Sequence, residues 1–146
     1  MQDFPHLYTV TAAAGAQGDV VVEGAALPPL MTAPPSQFGG PGDRWSPEAL
    51  LVAAVADCFI LSFRAIAKAT KLPWDAIECA VSGTLDRVDK VSLFTEFHVR
   101  ATLRVPAGTD EAKARAAMER AEQICLITNS LKGKAHLEAR VEISGQ

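Results

Sequence analysis

The residues most able to do chemistry in this chain are its three cysteines, Cys58, Cys79 and Cys125. A cysteine that can lose its proton is a nucleophile able to attack an O–O or S–S bond, whereas one that cannot packs as a small hydrophobe. None of the three belongs to a C-x-x-C pair, and they are too few and too widely separated for a disulfide scaffold. In a reducing compartment such thiols are either inert core residues or catalytic ones. His6, His98 and His136 lack metal-ligand spacing relative to one another or to the cysteines, so no metal site and no cofactor is expected.

The elements that must hold these thiols are readable from pattern. Cys58 falls inside the apolar run from Ala49 to Ile60, introduced by Ser46, Pro47 and Glu48. A hydroxyl cap, a proline at the first position and a first-turn acid make a helix start, and the helix is predicted to run to about Lys71. It is apolar on nearly every face of its first three turns and so must be covered all round. The run itself is too short to cross a bilayer and reads as a core helix. On residue type alone, Cys58 reads as packing.

Cys79 alternates with Ile77, Val81, Gly83 and Leu85 on a strand and reads as packing outright. A turn over Asp86 to Lys90 leads into a second long strand, Leu93 to Val105, with Glu96, His98, Arg100 and Arg104 on its wet face. Thr109 is then predicted to cap a helix whose stripe of Ala114, Ala117, Met118, Ala121, Ile124 and Cys125 faces the core. Cys125 ends that stripe, just before the polar cluster Thr128, Asn129 and Ser130. A helical turn from Thr128 to Lys132 and a closing strand from Ala135 to Ile143 complete the chain. Upstream, His6 to Thr11 and Asp19 to Glu23 read as a hairpin. The Pro- and Gly-rich stretch from Ala25 to Trp45 reads as a long loop with at most one short edge strand.

With 146 residues, 49% of them hydrophobic, one compact domain over residues 1–146 is expected. A formal charge of -3 with scattered basic residues provides no footprint for nucleic acid or an anionic membrane. The N-terminal residues carry no pattern of an export signal, which makes the cytoplasm the expected location.

Two segments resemble one family. The run GGPGDRWSPEALLVAAVADCF, from Gly39 to Phe59, is similar to a signature of the osmotically inducible protein C and organic hydroperoxide resistance (OsmC/Ohr) proteins, and AEQICLITNSLKG, from Ala121 to Gly133, to their second cysteine segment. The order of elements also agrees along nearly the whole chain. The resemblance implies an α+β fold of antiparallel sheets, with a central buried cysteine helix and a second helix, in an intertwined homodimer. It implies a thiol-dependent peroxidase for organic hydroperoxides, and in some branches hydrogen peroxide, serving oxidative stress defence. In that scheme Cys58 attacks, Cys125 resolves, and an external dithiol restores both.

Glu48 matches the family's glutamate, whose implied role is to orient an arginine against the thiolate. Ten residues of straight helix rise roughly 15 Å, so Glu48 would have to serve Cys58 of the other subunit. The sequence departs from the pattern at the arginine itself: the corresponding regions hold Gln17 and the stretch Ser36 to Phe38, and Arg44 is the nearest candidate. On its own terms, Arg44 reads equally as a solvated charge or a partner for Asp43. Asp57, beside Cys58, is a second departure, because a close carboxylate raises a thiol pKa. Trp45, Phe59 and Phe63 are candidates for an apolar entrance, with simple core packing as the other reading. The competing function is a non-enzymatic member of the same fold that binds a small apolar or thiol-reactive ligand in the dimer cleft.

Overall fold

The computed structural model describes residues 1–145, and the chain divides into two compact units, one over Met1–Leu51 and one from Val52 onward. The first unit holds a small antiparallel sheet in the order β1 (Thr11–Ala13), β2 (Val20–Glu23) and β3 (Leu30–Thr32). The first strand starts later than its β-forming residues suggest: His6 to Val10 is exposed and pairs with no strand among the described residues. A single 3-10 turn at Ser36–Phe38 interrupts the following loop, whose end returns to β3 through the amide of Ala33 and the carbonyl of Trp45, 3.0 Å apart.

Helix α1 (Pro47–Thr70) begins as its sequence predicts, the Ser46 hydroxyl accepting from the amide of Ala49 at 3.0 Å. Only one stripe of it is buried, Val55, Phe59, Phe63 and Ala67, at the i, i+4 spacing that faces a single neighbour. Within one chain the helix is therefore not covered all round, and Leu61 is 52% exposed. At 24 residues, α1 also outruns the short apolar run seen in sequence: by length and composition alone it could span a membrane, a test that core helices of soluble proteins also pass.

The second unit is built on a long hairpin, β4 (Ala76–Val88) with β5 (Val91–Val105), closed by Asp89 and Lys90. Both of these have positive φ, 50° and 67°, the pairing that a two-residue turn needs to match the strand twist. Alternation behaves as expected along β5, where Phe97, Val99, Ala101, Leu103 and Val105 are buried and His98, Arg100 and Arg104 exposed. Helix α2 (Glu111–Ile124) follows, then α3 (Leu126–Asn129) and β6 (Lys134–Ile143).

Three local expectations are corrected here. Asp110, not Thr109, caps α2, accepting from the amides of Ala112 and Lys113; the Thr109 hydroxyl is spent on the carbonyl of Pro106, 2.7 Å away. Ile124 leaves the core stripe and is 38% exposed. The third concerns strand direction: β6 pairs parallel to β5, so this sheet is mixed rather than wholly antiparallel. The reason is the connection, since α2 and α3 carry the chain back to the starting end of β5, as a β–α–β crossover requires. The α+β class and its two helices stand.

Candidate functional site

Cys58 lies three turns into α1, half-buried, with its sulfur 3.9 Å from the Ser62 hydroxyl one turn further on. Cys125 forms the junction of α2 and α3, its backbone extended at φ -60° and ψ 105°, and is 1% exposed. The two thiols, 67 residues apart in sequence, are near enough that Cys58 influences the Cys125 thiol. The fold thus brings together the pair of cysteines that the resemblance singled out.

The pair is asymmetric. Burial pushes the Cys125 thiol up, the amide and hydroxyl of Thr128 pull it down, and the neighbouring Cys58 pushes it up again, with a net rise. Cys125 therefore favours its protonated form. Thr128 is itself buried, its hydroxyl 3.1 Å from the Cys125 carbonyl. Ser62 was not singled out from sequence, although its i, i+4 spacing from Cys58 carries the signal, and Thr128 was noted only as part of a polar cluster.

Cys79 points inward from β4, opposite Ala101 of β5. Burial, and then the charge of Cys125, push its pKa from an ordinary 9.0 to about 11. It is thus an electrostatic neighbour of the pair and stays protonated at neutral pH, in keeping with a packing role.

The charged candidates lie in the first unit. Glu48 occupies the first turn of α1, and its Oε1 is buried without a hydrogen-bond partner among the described residues. An orphaned carboxylate oxygen costs free energy unless a donor reaches it, so the side chain is built for a cationic or N–H partner. Because α1 is unbroken from Pro47 to Thr70, Glu48 and Cys58 of one chain are held apart along its axis. Arg44 is engaged by two carboxylates, Asp19 at 3.1 Å and Asp43 at 3.4 Å. The partnership with Asp43 was one of its two plain readings; Asp19, 25 residues upstream, was not foreseen. Asp57 is exposed while Cys58 is half-buried.

Phe59 and Phe63 are fully buried, and Phe63 meets Trp74 edge-on with ring centroids 5.3 Å apart, which makes both phenylalanines core. A hollow of about 620 Å³ lies between the end of α1 and the start of α2, with Ile66, Leu72, Pro73, Lys113 and Arg120 among its walls. It is lined by none of the three thiols.

Comparisons with known proteins bear on the family and the fold. A family model described as OsmC-like protein matches residues 40–140. An organic hydroperoxide resistance protein of Xanthomonas axonopodis pv. citri is 30% identical over 129 residues, 87% of this chain and 89% of the relative. Among solved structures, an OsmC-like protein of unknown function from Vibrio cholerae superposes with a TM-score of 0.84 at 16% identity, covering 92% of this chain and 99% of its own. An organic hydroperoxide resistance protein from Legionella pneumophila superposes with a TM-score of 0.72 at 25% identity, covering 94% and 99%.

Proposed function

The chain belongs to the OsmC-like protein family, and on that premise we propose that it is a thiol-dependent peroxidase that reduces organic hydroperoxides. The observation that carries this reading is the asymmetric thiol pair: a reachable Cys58 beside a buried, protonated Cys125. Relatives named for organic hydroperoxide resistance, 30% identical over 87% of the chain, support it.

In the proposed cycle the Cys58 thiolate attacks the outer oxygen of the hydroperoxide, the O–O bond breaks, and the alcohol leaves with a proton. Cys58 becomes a sulfenic acid. Cys125 then attacks that sulfur, its own proton departing with the hydroxyl as water, and a Cys58–Cys125 disulfide forms. An external dithiol reduces it by two exchanges. The chemistry needs no cofactor.

The same proposal includes a homodimer in the cytoplasm. A second copy of the chain is the natural cover for the faces of α1 that one chain leaves open. In that assembly Glu48 of the partner subunit would meet the site, and its partnerless oxygen would orient Arg44, released from Asp19, against the thiolate.

The engagement of Arg44 by Asp19 and Asp43 favours the rival reading, a non-catalytic member that binds a small apolar or thiol-reactive ligand. Consumption of cumene hydroperoxide with a dithiol separates the two. The wild type should turn over and Cys58→Ser should lose activity on the order of a hundredfold or more. Equal consumption by both proteins would sink the peroxidase.

A further inference from the structure

We propose that the outer face of the second sheet carries a site for a borderline divalent metal ion of the zinc type, formed by Glu96, His98 and His136. The site stands apart from the thiols and does not depend on the peroxidase reading. Glu96 and His98 are two residues apart on β5 and share its wet face. His136 is the direct register partner of His98 across the parallel β5–β6 pair. Register partners and i, i+2 neighbours on one sheet face stand about 5–7 Å apart at Cβ, the separation from which long side chains converge on one point.

They do converge. The imidazole rings are stacked, centroids 5.3 Å apart, and each presents Nε2 to a different oxygen of the same carboxylate: His98 to Oε1 and His136 to Oε2, both at 3.6 Å. That is too long for a hydrogen bond. It is close to what a metal needs, since two ligands about 2.1 Å from a tetrahedral ion lie about 3.4 Å apart. Among the described residues no three donors already stand at ligand spacing, so small side-chain rotations must close the cluster. The side chains are about half exposed, at 51%, 52% and 43%, which leaves them free to rotate and leaves open positions for water.

The donor set of two imidazoles and one carboxylate selects zinc-class ions over calcium or magnesium. The surrounding charge is balanced: Lys134 pairs in register with Glu96, and Arg100 with Glu138. Affinity therefore rests on the imidazoles rather than on the local field. The separation of 38 residues between His98 and His136 hides the cluster from any reading of chain spacing, and only the β5–β6 register assembles it. A bound ion would clamp β5 to β6.

The test is zinc titration of the reduced full-length chain by calorimetry, with thermal melting alongside. Variants are His98→Ala, His136→Ala and Glu96→Gln, with His6→Ala as control. Thiol-bound zinc is common to all and subtracts. The wild type and His6→Ala should bind one zinc equivalent that both sheet-histidine variants lose or hold at least about tenfold more weakly, with Glu96→Gln also weakened. Zinc should raise the wild-type melting temperature more than that of His136→Ala. Zinc binding by His136→Ala identical to wild type, or no zinc beyond what the thiols take, would overturn the proposal.

Discussion

The two faces of the β4–β5–β6 sheet carry opposite kinds of reactive residue. The inner face looks onto sulfur: Cys79 points there, and Cys125 lies buried, with both Cys58 and Cys79 among its electrostatic neighbours. The outer face gathers Glu96, His98 and His136 in the open. Burial changes what each set can do. A thiol in the core is pushed toward its neutral form and needs a donor or cation before it becomes a nucleophile. An imidazole on the wet face is open to a metal ion. Strand alternation alone sorts the sheet residues between the two chemistries.

Adjacent residues give the sharpest test of that contrast. Phe97, wholly buried and stacked on Phe94 with centroids 5.4 Å apart, should cost about 3–5 kcal/mol when cut to alanine. His98→Ala, one residue later on the wet face, should change stability by no more than about 0.5 kcal/mol without metal. Chemical denaturation measures both, and comparable losses would break the comparison.

Cys125→Ser should leave the first attack by Cys58 nearly intact but abolish the intramolecular disulfide. Peptide mass analysis after peroxide should find sulfinic or sulfonic Cys58 in the variant and a Cys58–Cys125 disulfide in the wild type. Over-oxidised Cys58 without a disulfide in the wild type would remove the resolving role.

The smallest effect concerns Cys79. With its pKa raised from 9.0 to about 11, it should alkylate slowly at neutral pH and faster only as pH rises toward about 11. Because the folded state favours the protonated thiol, the accompanying contribution to stability is fully present below about pH 9 and is lost as pH rises through about 11. Rapid alkylation at neutral pH, followed by mass mapping, would count against a packed Cys79.

Much of the scaffold was legible because it rests on local rules. Ser46, Pro47 and Glu48 start α1 where helix-capping chemistry says they should. Period-two alternation marked the buried and wet faces of β5, and the apolar stripe marked the α2 core, with Ile124 wrongly included. Local rules also misled where two neighbours compete for one role, as when Asp110 displaced Thr109 at the α2 cap. The pairing of Cys58 with Cys125 came from family resemblance rather than from pattern, since periodicity places each thiol on an inward face without saying which faces meet.

By itself, then, the sequence determined the elements, their buried faces and the identity of the residues able to react, because caps, turns and periodicity act over a few neighbouring residues. Only the tertiary structure decided that β6 runs parallel to β5, that Arg44 answers to Asp19, that Ser62 and Thr128 attend the two thiols, and that His136 stacks on His98. Those relations join residues through strand register and helix packing, set by the burial of whole faces against one another, and no local spacing encodes which partner such burial will choose.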